Sequence, residues 1–275
     1  MIGQTKLISQ IQNMIDNDTF PRFSIIVGQK GSGRKSLTKV IHSMLEGYIY
    51  YILPDIKIDT IRTMIEDAIT TQDKMLIVIP DADTMSVNAK NALLKIVEEP
   101  PKNVHIIMAL ENIDNTLETI KSRAFVFNMQ IYSKKELESY FEERAESDLE
   151  KSNEKDLLLE IAEVPNDVDL LLSYGKDFID YVEFVVDNIA EVEPANAFKS
   201  SLKLAIKNED GYDLKLFWHT FMHICLQRYN ESHEERFLIA VKDTSRYVKM
   251  LQKLGVNKQQ LYDLWVFDVR DTLWT

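Results

Sequence analysis

The chain has 275 residues, 45% hydrophobic and 28% charged, the balance of an ordinary soluble globular protein with room for two or three domains. Its formal charge of −12 excludes a surface built mainly to grip nucleic-acid backbones, which requires clustered Lys and Arg, and favours protein partners. The single cysteine, Cys225, excludes an internal disulfide framework and a cysteine-based zinc cluster. No apolar run approaches the roughly 18–20 residues that span a bilayer, and the first residues lack a cleavable signal pattern, so a cytoplasmic location is expected.

In chain order, the first 130 residues alternate short apolar runs with helical patterns, which predicts a parallel sheet flanked by helices. The runs are 23–27, 48–53, 75–79, 104–110 and 124–129, rich in branched or aromatic residues, as strands buried on both faces should be. Helices are predicted near 35–46, 58–71 and 86–99, with a helical turn near 116–121. At Ser133 the character changes: Ser133-Lys134-Lys135-Glu136 is a capping-box pattern, and no further strand is predicted. Helices near 134–145, 154–163 and 166–174 make a small three-helix unit. A second helical block begins after Gly175, with breaks at Glu193-Pro194, Asp210-Gly211, 230–233 and Gly255-Val256-Asn257. The charged stretch 142–155 reads as a solvated face and loop.

Gly28-Gln29-Lys30-Gly31-Ser32-Gly33-Arg34-Lys35-Ser36 follows a strand and opens a helix, where a phosphate-binding loop belongs. The pattern G-x-x-x-x-G-K-[ST] works because glycines let backbone N–H groups surround the phosphates, the Lys reaches the β- and γ-phosphates, and the hydroxyl holds Mg²⁺. Gly28 and Gly33 keep the spacing, but Arg34 stands at the Lys position and Lys35 at the hydroxyl position. A planar guanidinium is not equivalent to an ammonium in a close-fitting cradle. The stretch reads either as a tight turn that includes Gly31 or as a retained nucleotide site. A one-residue slip would make Lys35-Ser36 the working pair.

Residues 86–101 carry the most information. Ser86 is a candidate N-cap, Ala89, Ala92, Leu93, Ile96 and Val97 form one apolar stripe, and Pro100-Pro101 stops the helix. The wording Asn91-Ala92-Leu93-Leu94-Lys95 running into Glu98-Glu99-Pro100-Pro101 resembles the signature helix of bacterial sliding-clamp loaders, in the AAA+ superfamily. The resemblance implies that the strand before it, 75–79, is a Walker B strand that should end in Asp-Glu, yet those positions read Pro80 and Asp81. It also implies a polar sensor where Leu110 stands and a lid arginine where Asp167 stands. By contrast, Lys121-Ser122-Arg123-Ala124 resembles the Ser-Arg-Cys motif, whose arginine enters a neighbouring subunit's ATP site; the other reading of Arg123 is a surface arginine that pairs with a nearby carboxylate. Ile2-Gly3-Gln4 and Ile58-Asp59-Thr60-Ile61-Arg62 are similar to further family stretches. The four-cysteine module usual between the two Walker elements is missing, with only about 40 residues separating them.

Taken together, the intact Ser-Arg pair and the spoiled ATP site resemble the delta-prime subunits of bacterial clamp loaders, or a phage counterpart. What this implies is an α/β AAA+ core with a five-stranded parallel sheet (1–130), a three-helix lid (131–178) and an all-α collar for oligomerisation (179–275). It implies no hydrolysis at the chain's own site, with Gly28, Gly31, Gly33, Arg34, Lys35, Ser36, Pro80 and Asp81 forming a vestigial nucleotide site, no required cofactor and no metal. Arg123, beside Ser122, would serve a neighbour's ATP in trans. The implied partners are gamma/tau-like ATPase and delta-like subunits, with the sliding clamp and primed DNA reached through the complex. An active ATPase subunit, or an AAA+-fold interaction protein in another assembly, are the other readings. Cys225 reads as a buried structural thiol, His219 and His223 as part of a packing stripe, and Glu98-Glu99 as a solvated helix end.

Overall fold

The computed structural model describes residues 2–144, 154–190, 204, 211–251, 253 and 255–274. Two compact units arise, Met1–Tyr140 with Val164–Asn166, and Phe141–Glu163 with Asp167–Thr275. The predicted break at Glu193-Pro194, residue Asp210 and most of the charged stretch 142–155 lie outside the described residues.

The first unit is built on five strands, β1 (Phe23–Val27), β2 (Ile49–Ile52), β3 (Met75–Ile79), β4 (Val104–Leu110) and β5 (Phe125–Asn128). All pair in parallel in the order β2-β3-β4-β1-β5. Side chains alternate across a strand, so one run feeds two cores. Ile77 and Ile79 of β3, Ile25 of β1, and Ile106 and Met108 of β4 enter one core. Leu76 and Val78, Ile26, and Ile107 enter the other. The first core is closed by α3 (Ile58–Thr70), α4 (Val87–Glu98) and the short α5 (Glu118–Lys121), through Ile61, Met64, Ala89, Leu93, Ile96, Val97 and Ile120. The second is closed by α1 (Thr5–Asp16) and α2 (Arg34–Met44), through Leu7, Ile11, Leu37 and Ile41. The predicted α/β core is therefore present, with strand ends moved by one residue at β2 and β5. Helix α1 is an addition to the predicted elements. Its Leu7 and Ile11 spacing, flanked by Ile8, Met14 and Ile15, is that of a helix laid on a sheet.

Local signals set the helix ends. Ser86 accepts from the Ala89 amide at 3.2 Å, as an N-cap should. The Ser133–Glu136 capping box is closed from both sides: Glu136 accepts from the Ser133 amide at 2.8 Å, and Ser133 Oγ accepts from the Glu136 amide at 3.3 Å. It opens α6 (Lys134–Arg144).

The second unit is helical over its described residues, apart from an isolated bridge between Leu204 and Tyr212. It contains α7 (Glu154–Ile161), most of α8 (Pro165–Asn188), α9 (Leu214–Ser232), α10 (Glu235–Leu251) and α11 (Lys258–Trp274). Helix α8 is interrupted at Gly175, whose φ of 61° and ψ of −158° suit glycine alone. Asp213 caps α9 by accepting from the Lys215 and Leu216 amides. Trp218, Trp265, Phe217, Phe221 and Tyr262 fill the centre. Phe221 meets Trp265 edge-on, with centroids 5.0 Å apart, and the Trp265 indole N–H donates to Thr244 Oγ1 at 2.9 Å. No described helix is long and apolar enough to cross a membrane.

Leu93 is fully buried in the α4 side of the core, so Leu93→Ala should destabilise the first unit by about 2–5 kcal/mol, read from urea unfolding. Val87→Ala at the exposed start of the same helix should stay within about 0.5 kcal/mol of wild type.

Candidate functional site

In an open parallel sheet, ligand-binding loops lie beyond the carboxyl ends of the strands. Here the loop after β1 carries Gly28–Gly33, the loop after β3 carries Pro80–Asp83, and the loop after β4 begins at Glu111. The strands β3, β4 and β1 are consecutive neighbours, so these three loops meet.

The glycine loop packs against its own chain. The Gly28 amide donates to Leu110 O at 3.0 Å, and the Ser32 amide to Gln29 O at 3.1 Å. A Cβ at Gly28 would lie 2.8 Å from Ser32 Oγ and 2.9 Å from Met129 Sδ. Gly31, at φ +83°, would place one 2.7 Å from Asn166 Cβ and 3.1 Å from Val164 Cγ2, and its carbonyl accepts from the Asn166 amide. Tyr132 donates its hydroxyl proton to Ser32 O at 2.7 Å, and burial pushes the phenol pKa up. Gly33, at φ +89°, is the left-handed residue before α2. Close approach of protein groups is thus a sufficient reason for glycine at 28 and 31. Gln4 is buried and exchanges both side-chain bonds with the Gln130 backbone, tying the start of the chain to the end of β5.

Arg34 is the first residue of α2 and is 7% exposed. Its Nη2 lies 3.2 Å from Asp81 Oδ1 and 3.8 Å from Glu111 Oε1, and its Nη1 lies 3.6 Å from Asp83 Oδ2. Lys35 is exposed, 3.8 Å from Asp81 Oδ2, and Ser36 is exposed. Of these two residues of the glycine-loop end, the buried cation facing the β3 loop is therefore Arg34. Asp83 is the centre of the arrangement: it accepts from the Glu111 amide at 2.7 Å, the Asn112 amide at 3.1 Å and Asn115 Nδ2 at 3.0 Å. Buried Lys90 of α4 donates to Asn115 O at 2.5 Å and to Asp83 O at 3.4 Å. Burial lowers its pKa, with the Asp83 charge opposing that. Asp81 sits in a left-handed turn at φ 47°, directly after Pro80.

Sequence reasoning missed Asp83, Lys90 and Glu111. Asp83 lies two residues beyond the inspected position. Lys90 sits among the apolar residues of the α4 stripe, where a buried ammonium is uncommon without a partner.

Arg123 follows α5 and belongs to a separate constellation. Its Nε donates to Glu98 Oε1 at 3.1 Å, its Nη2 also pairs with Glu98, and its Nη1 donates to Thr119 O at 2.8 Å and Ser122 Oγ at 3.3 Å. Ser122 passes its own proton to Thr119 O at 3.2 Å. Ala124 is half-buried against the α4-side core. Glu98 is thus the exposed helix-end residue expected, and it also pairs with Arg123.

The remaining candidates have local partners. Leu110 is buried at the end of β4. Asp167 accepts from the Glu163 amide at 3.0 Å and lies 3.8 Å from Lys215 Nζ. His105 bonds Pro21 O at 2.8 Å, and His42 bonds Tyr48 O at 2.7 Å. His223 stands 3.2 Å from Glu160, an acidic neighbour that the packing-stripe reading did not include. Cys225 is buried, which drives its thiol pKa up and leaves it the structural thiol expected.

Several known proteins are similar to this chain. Residues 54–133 match the family model described as DNA polymerase III, delta subunit. The chain is 26% identical over 164 residues to the DNA polymerase III subunit delta' of Bacillus subtilis, covering 49% of this chain and 50% of that protein. It is 30% identical over 84 residues to the DNA polymerase III subunit gamma of Buchnera aphidicola subsp. Schizaphis graminum, covering 30% and 23%. The match therefore spans half or less of these relatives' lengths. A solved DNA polymerase III gamma subunit-related protein of Thermotoga maritima superimposes with a TM-score of 0.51 at 14% identity, covering 97% of this chain and 99% of that one. The fold is that of an AAA+ protein. Within that fold, and at modest identity, the matched stretches are similar to delta, delta' and gamma subunits of DNA polymerase III.

Removing the central cation should expose the cost of the acidic cluster. Arg34→Ala leaves Asp83 buried without its guanidinium and should destabilise the first unit by about 3 kcal/mol, while Lys35→Ala changes little. Urea unfolding of the two variants checks this, and equal midpoints would show that Arg34 carries no such burden.

Proposed function

We propose that this chain is a non-hydrolysing, delta-prime-like subunit of a clamp loader. It lends Arg123 to the ATP site of an adjacent ATPase subunit during loading of a sliding clamp in DNA replication. The observation that carries this reading is the placement of Arg34 among Asp81, Asp83 and Glu111. In a phosphate loop the corresponding cation serves phosphates, and the carboxylate of the β3 loop helps hold Mg²⁺. Here Arg34 and Lys35 pair with the three carboxylates, and Lys90 adds a third cation through the backbone carbonyls of Asp83 and Asn115, so the cluster carries no net negative charge to attract a divalent ion.

The residues present do not fit a hydrolysable Mg²⁺-nucleotide. The hydroxyl position holds Lys35, Pro80 has no carboxylate, and Asp81 is already paired with Arg34. Misplacement of a water-activating carboxylate by about a methylene is enough to cost orders of magnitude in rate. Arg123, in contrast, keeps a third of its side-chain surface exposed, where a partner's phosphate could meet it. A guanidinium brought to a γ-phosphate stabilises the charge spread over its oxygens in the transition state. The acidic balance of the chain fits a subunit whose contact with DNA is made through its complex. The matches to delta' and gamma subunits support gamma/tau-like and delta-like partners.

Arg123→Ala, assembled with the cognate ATPase subunits, should lower turnover at the adjacent site by about 10³-fold while the complex still forms. Steady-state ATPase of the assembled loader with primed DNA is the measurement. Unchanged turnover would overturn the arginine's role.

A further inference from the structure

Glu98 is the last residue of α4, where the helix dipole opposes a negative charge, and Glu99 adds a second one beside it. Helix stability therefore gives no reason for a carboxylate at 98. Its surroundings give one: a single oxygen, Oε1, receives both Nε and Nη2 of Arg123, on an element 25 residues further along the chain. The other terminal nitrogen, Nη1, is held by Thr119 O and by Ser122 Oγ. A guanidinium has five N–H donors in a rigid fork, and these contacts engage both its edges, leaving an N–H of Nη2 for an outside acceptor. Both side chains are partly exposed, at 34% for Arg123 and 54% for Glu98, so the pair adds little to stability. What it does is restrict the rotamers of a long, flexible cation.

We infer that Glu98 is a positioning residue. It sets the direction of the Arg123 guanidinium before a partner's phosphate arrives, with Ser122 and Thr119 holding the opposite edge. This rests on the trans-acting role of Arg123 proposed above. Holding a charged group in its working orientation in advance acts on the rate of the chemical step more than on ATP affinity. It also gives Ser122 a task, since the hydroxyl that accepts from Arg123 is itself oriented by donating to Thr119 O.

The test uses the assembled complex with wild-type chain, Glu98→Ala, Glu98→Gln and Arg123→Ala. Glu98→Ala should lower the kcat of the DNA-stimulated ATPase at the adjacent site about tenfold at unchanged KM for ATP. Glu98→Gln keeps an oxygen that accepts from Nε and Nη2 and should recover most of that loss. Glu98→Ala added to Arg123→Ala should have no further effect. If Arg123→Ala lowers turnover but Glu98→Ala leaves kcat unchanged or raises it, the positioning role fails and the trans-acting arginine survives. The same holds if Glu98→Ala prevents assembly of the complex. If Arg123→Ala itself has no effect, both fall together.

Discussion

The guanidinium of Arg34 joins three loops that a parallel sheet brings side by side. It projects from the first residue of α2, at the end of the glycine loop, onto Asp81 and Asp83 beyond β3 and Glu111 beyond β4. Asp83 extends the connection by accepting from two successive amides of the β4 loop, and Lys90 reaches the same loop from α4. A cluster of this kind holds together the region that an ATPase of this fold orders with nucleotide and metal. Asp83 is well satisfied by its loop donors. Arg34, in contrast, makes one hydrogen bond, to Asp81, and keeps its buried Nη1 without a hydrogen-bond partner, so its hold on Asp83 and Glu111 is mainly electrostatic.

The sheet makes that cluster possible. β3, β4 and β1 are buried on both faces, so their backbones are fixed by two apolar cores. The loops at their carboxyl ends inherit this rigidity. Arg123 is mounted differently. It follows a one-turn helix on the way into β5, an edge strand, and its side chain is steered by exposed groups. One cation is thus enclosed by its own chain and the other is presented at the surface. That contrast, more than the loss of any single motif residue, underlies the functional reading.

Much of this was legible in the sequence because its causes are local. Strands buried on both faces must be short, continuous apolar runs, and β1, β3 and β4 are such. β2 and β5 carry the same signal but lie at the sheet edges, where β2 has no buried residue and β5 buries only Phe127. Ser86 and the Ser133–Glu136 box bond to amides three residues away, so their roles follow from spacing alone. The glycine loop was visible, but not that Met129, Val164 and Asn166 pack on it, because they come from more than 90 residues downstream. For the same reason, the partners of Arg34 and Arg123 could not be read. A charged residue's neighbours across a sheet leave no periodic trace, and Glu98 looks like any other solvated helix end until α5 is folded beside it. Helix α1 is a different case. Its apolar spacing was present in a segment read only for the absence of a cleavable signal pattern.

The central claim is that the carboxylates of the chain's own nucleotide site are paired within the chain and that this site does not hydrolyse ATP. Steady-state hydrolysis of ATP by the purified chain alone, with excess Mg²⁺, tests it most directly. The account predicts turnover indistinguishable from the uncatalysed background. Sustained, magnesium-dependent turnover that disappears on changing Lys35 and Ser36 to Ala would contradict it, because the phosphate loop would then be working in the shifted register.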